Sequence, residues 1–279
     1  MFIDSIPENL PKGDMPGDVI TITSDHLRKA NSVLSSLMPL LSNERTVISV
    51  YGGSGSGKSE TASLIAYALN KHGINSYIMS GDNYPRRIPK YNDAERLRIF
   101  RLGGIKRLLS HEMYTKERSG ILAELQKTGL DAETEQAKIY PWLEEYQAGG
   151  DTGLRSYLGT LQEIDFSEVC GIISHFKSGA KSIFLKRMGR NETELWYDLI
   201  NFEKTQILIL EWTHGNNDNL QGLIDIPIYL QGTPSETLAH RMSRGRDKGA
   251  DSSFVARILN IEAERLASQV QTAKMSIDS

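Results

Sequence analysis

The sequence predicts an α/β fold in which a mostly parallel sheet is flanked by helices, and three observations lead to this prediction. Apolar runs rich in Val, Ile and Leu recur at 46–51, 75–80, 205–212 and 224–230. Segments with helical spacing of apolar residues lie between them. The first run leads directly into a glycine-rich turn. Apolar strands that alternate with helices are typical of a parallel sheet buried on both faces.

The motif that organises the sequence is GGSGSGKS, which fits the nucleotide-binding pattern G-x-x-x-x-G-K-[ST] known as the P-loop. The strand predicted before it and the helix predicted after it, over 59–70, are the context that this motif requires. Its glycines let the backbone N–H groups turn inward onto a polyphosphate. The predicted nucleotide-binding residues are Gly52, Gly53, Ser54, Gly55, Ser56, Gly57, Lys58 and Ser59.

Two residues of this loop have a defined chemistry. Lys58 is predicted to reach the β- and γ-phosphates, and the Ser59 hydroxyl is predicted to ligate Mg²⁺. ATP and Mg²⁺ are therefore the expected cofactors. The plain alternative is a glycine-rich turn before an ordinary helix.

Acidic residues stand where two of the predicted strands end. Asp82 follows the run 75–80, and Glu211 follows four apolar residues of the run 205–212. Ligands of open parallel sheets bind at the carboxyl ends of the strands, so both residues are candidates for chemistry, with Glu211 as a carboxylate at Mg²⁺. The alternatives are a Gly-Asp-Asn turn at Asp82 and a helix-capping role for Glu211.

Five further residues are candidates for binding the phosphoryl acceptor. Arg86, Arg87 and Arg187 suit a carboxylate or phosphate on that molecule, which favours a sugar or sugar phosphate, while solvated basic residues are the alternative. Tyr84 and His214 lie beside the strand ends, although a histidine with a purely structural role is an equal interpretation.

A second group of arginines lies in the segment 234–250. Arg241 and Arg244 would share one helix face, and Arg246 adjoins a glycine. These residues are interpreted as a lid that closes over the phosphates, in which Arg244 acts catalytically, and a solvated basic face is the alternative.

Outside these motifs, the spacing of apolar residues, glycines and prolines predicts the local structure. Residues 1–18 are expected to be an irregular, loosely docked lead-in without function, and Ser24 or Asp25 is expected to cap the helix that follows. About 93–160 is predicted to be a helical insertion. Its helices are expected to be interrupted at Gly103-Gly104, Ser119-Gly120, Pro141 and Gly149-Gly150. The stretch 182–202 suggests a β-hairpin, with a helix over 192–200 as the competing prediction.

Length, charge and cysteine content limit the classes of function that the chain can have. With 279 residues and 39% hydrophobic residues the chain can build a large core, and we treat it as a single domain with an N-terminal extension and helix over 1–44. A net charge of −3 and an isoelectric point near 6.1 argue against a nucleic-acid partner. A single cysteine and the lack of an 18-residue apolar stretch predict a cytoplasmic chain with no membrane partner. A homo-oligomer is left open.

The ordered set of motifs GGSGSGKS, SGDNYPRR, ILILEWTHG, IDIPIYL and HRMSRGRDKG resembles the uridine kinase and phosphoribulokinase group of P-loop kinases over roughly 45–270. This resemblance implies that Asp82 orients the acceptor hydroxyl as a base, that Glu211 is the acidic residue at the metal, and that the three arginines of 240–249 belong to a lid. EIDFSEV is loosely similar to a segment of uridine kinases. Trp212 stands where the group usually has glycine, and Pro85-Arg86-Arg87 replaces an aromatic continuation.

The residues and the resemblance together predict an ATP-dependent phosphotransferase that acts on a hydroxyl of a sugar, sugar phosphate or nucleoside. The alternatives are an ATPase or nucleotide-dependent switch without a small-molecule acceptor, and a chain that binds nucleotide without turnover. A GTPase is disfavoured because no N-K-x-D motif is present.

Overall fold

The computed structural model describes residues 2–41, 44–233, 235–238 and 252–278. Its main sheet has five parallel strands, β1 (Thr46–Gly52), β2 (Ser76–Ser80), β5 (Ile207–Glu211), β6 (Ile226–Leu230) and β7 (Met275–Ile277). Their order in the sheet is β2-β5-β1-β6-β7, so the P-loop strand β1 is central. The predicted fold class is confirmed. Sequence reasoning missed β7, a three-residue edge strand.

The helices of the described residues fall close to the predicted segments. The helix after the P-loop begins at Lys58, and Thr23 rather than Ser24 or Asp25 caps the first helix. The helices are α1 (Ser24–Leu37), α2 (Lys58–Lys71), α3 (Pro89–Ser110), α4 (Lys116–Thr128), α5 (Thr134–Ile139), α6 (Leu143–Tyr157), α7 (Phe166–Lys177) and α8 (Ser253–Gln269). None of these helices is long and apolar enough to cross a membrane.

Both faces of the main sheet are covered. Alternate residues of a strand point to opposite faces, so Ile207 and Ile209 of β5 pack with α1 and α2, while Leu208 and Leu210 pack with α7. Every residue of β5 is buried. This burial on both faces explains why the strand is continuously apolar.

The insertion has its own apolar cluster, formed by α3 to α6 together with Ile258 and Ile261 of α8. The prediction that paired glycines interrupt its helices is wrong, because Gly103-Gly104 lies inside α3 and Gly149-Gly150 lies inside α6. A β-carbon on Gly103 would lie 2.5 Å from the carbonyl oxygen of Gly149. These glycines therefore let the backbones of two helices touch. Ser119-Gly120 likewise lies inside α4, whereas Pro141 does separate two helices.

The predicted hairpin is confirmed, and the competing helix over 192–200 is wrong. Strands β3 (Ser182–Met188) and β4 (Leu195–Asn201) pair antiparallel, separate from the main sheet. The Glu194 carboxylate accepts hydrogen bonds from the backbone N–H groups of Arg190 and Asn191, which closes the turn.

Residues 2–18 form no helix or strand, as predicted, but the expectation that this lead-in is loosely docked is wrong. The Asp14 side chain is only 7% exposed and lies 3.0 Å from the guanidinium of Arg187. It also accepts hydrogen bonds from the backbone N–H of Ser80 at 2.7 Å, the Tyr77 hydroxyl at 3.0 Å and the Asn83 amide at 3.1 Å. One carboxylate thus joins the lead-in, the end of β2 and the hairpin.

Candidate active site

The P-loop connects the end of β1 to the start of α2. Gly55 and Gly57 have φ of 82° and 86°, values that favour glycine. No side-chain hydrogen bond caps α2 at Gly57, so the amides of its first turn face the loop without a side-chain acceptor. The Lys58 ammonium group donates to the carbonyl oxygen of Gly53 at 2.9 Å and thus lies folded over the loop.

A buried polar atom in the loop fits a phosphate ligand. Ser56 is 3% exposed, and its hydroxyl has no hydrogen-bond partner among the described residues. A buried hydroxyl without a partner is unfavourable, and a bound phosphate would satisfy it. The loop also has little spare room on its outer side, because a β-carbon on Gly57 would lie 2.7 Å from the ring of His26.

Glu211 ends β5 and lies beside Ser59. Its buried carboxylate accepts hydrogen bonds from the hydroxyls of Ser59 and of Ser80, the latter at 3.3 Å. Burial raises the pKa of Glu211 to about 7, the charge of Asp82 adds to this rise, and the charge of Lys58 opposes it. A hydroxyl and a carboxylate in contact are suitable ligands for Mg²⁺, which usually takes few protein ligands together with phosphates and waters. The described residues contain no cluster of three His, Cys, Asp or Glu side chains that would hold a metal without a nucleotide.

Asp82 lies in a 3₁₀ turn, Gly81–Asn83, that follows β2 directly. Ser80 pairs in register with Glu211, so Asp82 and Glu211 emerge at the same edge of the sheet. The side chain of Asn83 fixes this turn, because its oxygen accepts from the backbone N–H of Met188 at 3.0 Å. Asp82 is therefore part of a Gly-Asp-Asn turn, which was the structural alternative, and it also lies at the strand-end edge expected for a candidate site carboxylate.

Trp212, which stands where the uridine kinase and phosphoribulokinase group usually has glycine, packs on the backbone of this turn. A β-carbon on Gly81 would lie closest to Cγ of the indole ring and overlap it, and Trp212 is 1% exposed. The ring also contacts His214 edge-on at a centroid distance of 5.2 Å. The absence of a side chain at Gly81, after β2, therefore makes room for the indole ring of Trp212, after β5.

Arg86 and Arg87 have partners within the chain. Arg86 donates to the Leu161 carbonyl oxygen at 2.7 Å and pairs with Asp165 at 3.2 Å. Arg87 donates to the Tyr157 hydroxyl at 3.0 Å. Both side chains hold the 157–165 segment against the turn that contains Asp82, which is a structural use of their charge.

Arg187 is likewise engaged, since its guanidinium pairs with Asp14 at 3.0 Å and with Asp198 at 3.1 Å. Tyr84 is fully buried, with the ammonium group of Lys186 5.2 Å from its ring centroid. The structure therefore places these two candidate acceptor residues in packing and ion-pair roles.

His214 lies at the wall of the site. An added β-carbon on Gly159 would be 3.1 Å from its ring. Burial lowers the pKa of His214 to about 4; the carboxylate of Glu163 opposes this shift, and the charges of Arg96, Arg265 and Lys58 add to it. The imidazole is consequently neutral at pH 7.

Sequence reasoning missed a buried ionic network beside these residues. The Arg96 guanidinium lies 2.7 Å from Glu163 and 3.6 Å from Glu262. Its members come from α3, the 158–165 segment and α8, so no local spacing could have revealed them. The segment EIDFSEV contains Glu163, and the resemblance drew attention to the neighbouring residues of that segment.

The arginines predicted to form a lid, Arg241, Arg244 and Arg246, lie outside the described residues.

A cleft of about 330 Å³ borders the 156–162 segment, and Asn217 and Arg265 are among its lining residues. Neither Lys58 nor Asp82 lines it, so the nucleotide loop and the carboxylates define the candidate active site instead.

The sheet order and the P-loop agree with the fold of two solved structures, so the chain has the P-loop kinase fold that the resemblance to the uridine kinase and phosphoribulokinase group implied. A protein provisionally described as a fructose transport system kinase from Silicibacter sp. TM1040 superposes with a TM-score of 0.53 at 14% identity, over 92% of this chain and 100% of that one. A protein provisionally described as a uridine kinase from Bacillus stearothermophilus gives 0.52 at 13% identity, over 90% and 98%.

A curated relative has higher sequence similarity. The bifunctional alpha-galactosidase/sucrose kinase AgaSK of Mediterraneibacter gnavus is 35% identical over 233 residues, which cover 84% of this chain. The match spans only 20% of the length of that relative. No family model matches the sequence.

Proposed function

We propose that the chain is an ATP-dependent kinase that transfers the γ-phosphoryl group to a hydroxyl of a small metabolite, with a sugar as the favoured acceptor. The observation that carries the proposal is the convergence of Lys58, Asp82 and Glu211 at one edge of the sheet, where the charges of Asp82 and Lys58 both act on Glu211. Phosphoryl transfer needs mainly positioning and charge neutralisation, and this edge offers both.

The loop residues would hold the triphosphate through backbone N–H groups, and the Ser56 hydroxyl would gain the partner that it lacks. Lys58 would exchange the Gly53 carbonyl oxygen for the β- and γ-phosphates. Bound between Ser59, Glu211 and the phosphates, Mg²⁺ would supply charge neutralisation.

Asp82 would accept a hydrogen bond from the acceptor hydroxyl and take its proton as the oxygen attacks the γ-phosphorus in line. Its turn is held by Asn83 and Trp212, so the backbone that carries the carboxylate has a fixed position.

The favoured acceptor class rests on two observations. The relative at 35% identity is named a sucrose kinase, and the arginines that would have bound an anionic acceptor have partners within the chain. We therefore propose a neutral sugar in preference to a sugar phosphate.

The test measures Mg²⁺-dependent ADP release with neutral mono- and disaccharides, sugar phosphates and nucleosides. We expect one neutral sugar to stimulate turnover and Asp82→Asn to reduce it by roughly a hundredfold or more, which is the usual contribution of a catalytic base. Asp218→Asn, an exposed acid in another 3₁₀ turn, is the matched control and should leave the rate unchanged. Acceptor-independent ADP release that Asp82→Asn does not alter would contradict the proposal and favour an ATPase or switch.

A further inference from the structure

One wall of the site contains an arginine held between two carboxylates of different character. Arg96 makes two contacts of 2.7 Å with Glu163, from its Nε and Nη2 atoms. Its distance to Glu262 is 3.6 Å, which is within the range of an ion pair but longer than a hydrogen bond. The guanidinium is therefore bound firmly on one side and loosely on the other.

The Glu163 carboxylate is bound entirely by groups within the chain. Its carboxylate is completely buried and accepts additional hydrogen bonds from the Asn92 amide at 3.0 Å and from the backbone N–H of Gly159 at 2.6 Å. Three of these four contacts reach Oε1, and the fourth, from Gly159, reaches Oε2, so both oxygens are bound within the chain. Glu163 is thus a positioning residue, which holds Arg96 and the 158–163 segment in place.

Glu262 differs because its side chain keeps 13% of its surface and makes a longer contact. It lies on α8, and its carboxylate interacts electrostatically with Lys58 and Asp82 as well as with Arg96. Glu262 is therefore paired with the buried network and lies within electrostatic range of the two groups that would act on the γ-phosphate and the acceptor hydroxyl.

His214 continues this wall from the other side. Its ring lies against Gly159, whose N–H binds Glu163, and it packs edge-on against Trp212, the residue after Glu211. A carboxylate, a guanidinium and a neutral imidazole with a nearby indole ring therefore form one connected group of side chains from α3 and α8 to the end of β5.

The chemistry of this wall suits hydroxyl groups. Carboxylates accept hydrogen bonds from hydroxyls, and guanidinium and imidazole groups can bind the hydroxyl oxygens. Glu163 and Glu262 flank Arg96, and Asp82 adds negative charge nearby, while Lys58 and Arg265 are further cations that act on this region. Arg96 is already paired with two carboxylates, and Lys58 would be engaged by the phosphates of ATP. An anionic acceptor would therefore be repelled by Glu262 and Asp82, whereas a neutral polyhydroxylated molecule would not.

The geometry points to Glu262, Arg96 and His214 as the surface that binds the acceptor's hydroxyl groups and selects a neutral polyhydroxylated molecule over an anionic one. This inference rests on the proposed kinase function. It adds three specificity-determining residues to Asp82, and it assigns the Glu163 carboxylate the task of orienting Arg96.

The test compares Glu262→Gln with wild type in steady-state kinetics, with the neutral sugar that the acceptor panel identifies. The variant keeps the shape of the side chain and removes its charge. We expect the acceptor KM to rise roughly ten- to hundredfold, as for loss of a hydrogen bond to a charged group, while the KM for ATP changes little. Preference for the neutral sugar over its phosphate ester should also narrow.

Glu264→Gln is the matched control, because Glu264 lies on the same helix and its side chain is 59% exposed, paired with Arg155. Calorimetry with ADP and Mg²⁺ present gives a readout without turnover: the sugar should bind more weakly to Glu262→Gln and normally to Glu264→Gln. Thermal melting of each variant checks that it is folded.

The outcomes separate the two proposals. If wild type phosphorylates the sugar and Glu262→Gln binds it with unchanged affinity and KM, the acceptor wall is refuted and the kinase function stands. If wild type turns over no acceptor of the panel, the kinase function fails, and this inference fails with it.

Discussion

The indole ring of Trp212 occupies the position where a side chain on Gly81 would begin. The two residues follow neighbouring strands, β5 and β2, and each directly adjoins a carboxylate of the candidate site, Glu211 or Asp82. Their contact therefore sets the distance between the two backbone segments that carry these acids. Neither Gly81 nor Trp212 is a candidate for the chemistry, yet their packing determines where the two acids lie.

We expect Gly81→Ala to lower the free energy of unfolding by about 2–3 kcal/mol, because the added methyl group overlaps a buried ring that has little room to move. Urea denaturation measures this loss. Turnover should fall as well, since Asp82 is displaced. The double variant Gly81→Ala/Trp212→Leu should recover part of both losses.

Gly171→Ala is the control for this substitution. Gly171 lies inside α7, and an added β-carbon there meets no atom within 4 Å. It should leave stability unchanged or raise it by up to about 1 kcal/mol through helix propensity. An equal loss of stability in Gly81→Ala and Gly171→Ala would show that the overlap with Trp212 is not the cause.

Removal of the Asp14 carboxylate should destabilise the chain. Asp14→Ala leaves the guanidinium of Arg187, which is 6% exposed, without its buried partner, and we expect a loss of about 3 kcal/mol in the free energy of unfolding. Asp198 is the other acid that pairs with Arg187, but it is 48% exposed. Asp198→Asn should therefore change stability by less than about 1 kcal/mol. Equal effects of the two substitutions in urea denaturation would contradict the buried role of Asp14.

Stability should depend on pH through His214. Burial lowers its pKa to about 4 in the folded chain, whereas the ordinary pKa of histidine is 6.5, so only the unfolded chain takes up a proton between these values. The stabilisation is complete above pH 6.5 and is lost as the pH falls towards 4. It amounts to about 3 kcal/mol from the size of the shift.

Urea denaturation at pH 7 and pH 4.5 of wild type and His214→Asn measures this contribution. The variant should lose less stability on acidification than wild type. His175→Asn replaces an exposed histidine of α7 and should behave as wild type does. A wild-type pH dependence that persists unchanged in His214→Asn would assign the acid sensitivity to other groups.

Elements with a strong local pattern were predictable from the sequence. The run ILILE is apolar on both faces because helices cover both sides of the sheet, and the P-loop motif fixed both the loop and the helix that follows it. The three-residue strand β7 could not be predicted, since its pairing with β6 involves too few residues to leave a periodic pattern.

The acceptor side was less predictable because its side chains meet through tertiary structure. In the sequence, Arg86 and Arg96 are both basic residues in polar segments. In the structure, Arg86 pairs with Asp165 of a neighbouring loop. Arg96 lies instead in a buried network with Glu163 and Glu262. Asp14 gave no signal, because a lone acid in a proline-rich segment does not reveal its distant partner. Local sequence indicates which residues carry charge, and the fold decides which of them are already paired.

The contact between the backbones of α3 and α6 at Gly103 and Gly149 limits how the acceptor side can move. Helices this close interlock, so sliding of one along the other would force atoms into overlap. Arg96 lies on α3 and therefore travels with α6 as a single body. Any movement of Arg96 towards a bound molecule would therefore have to carry α6 with it.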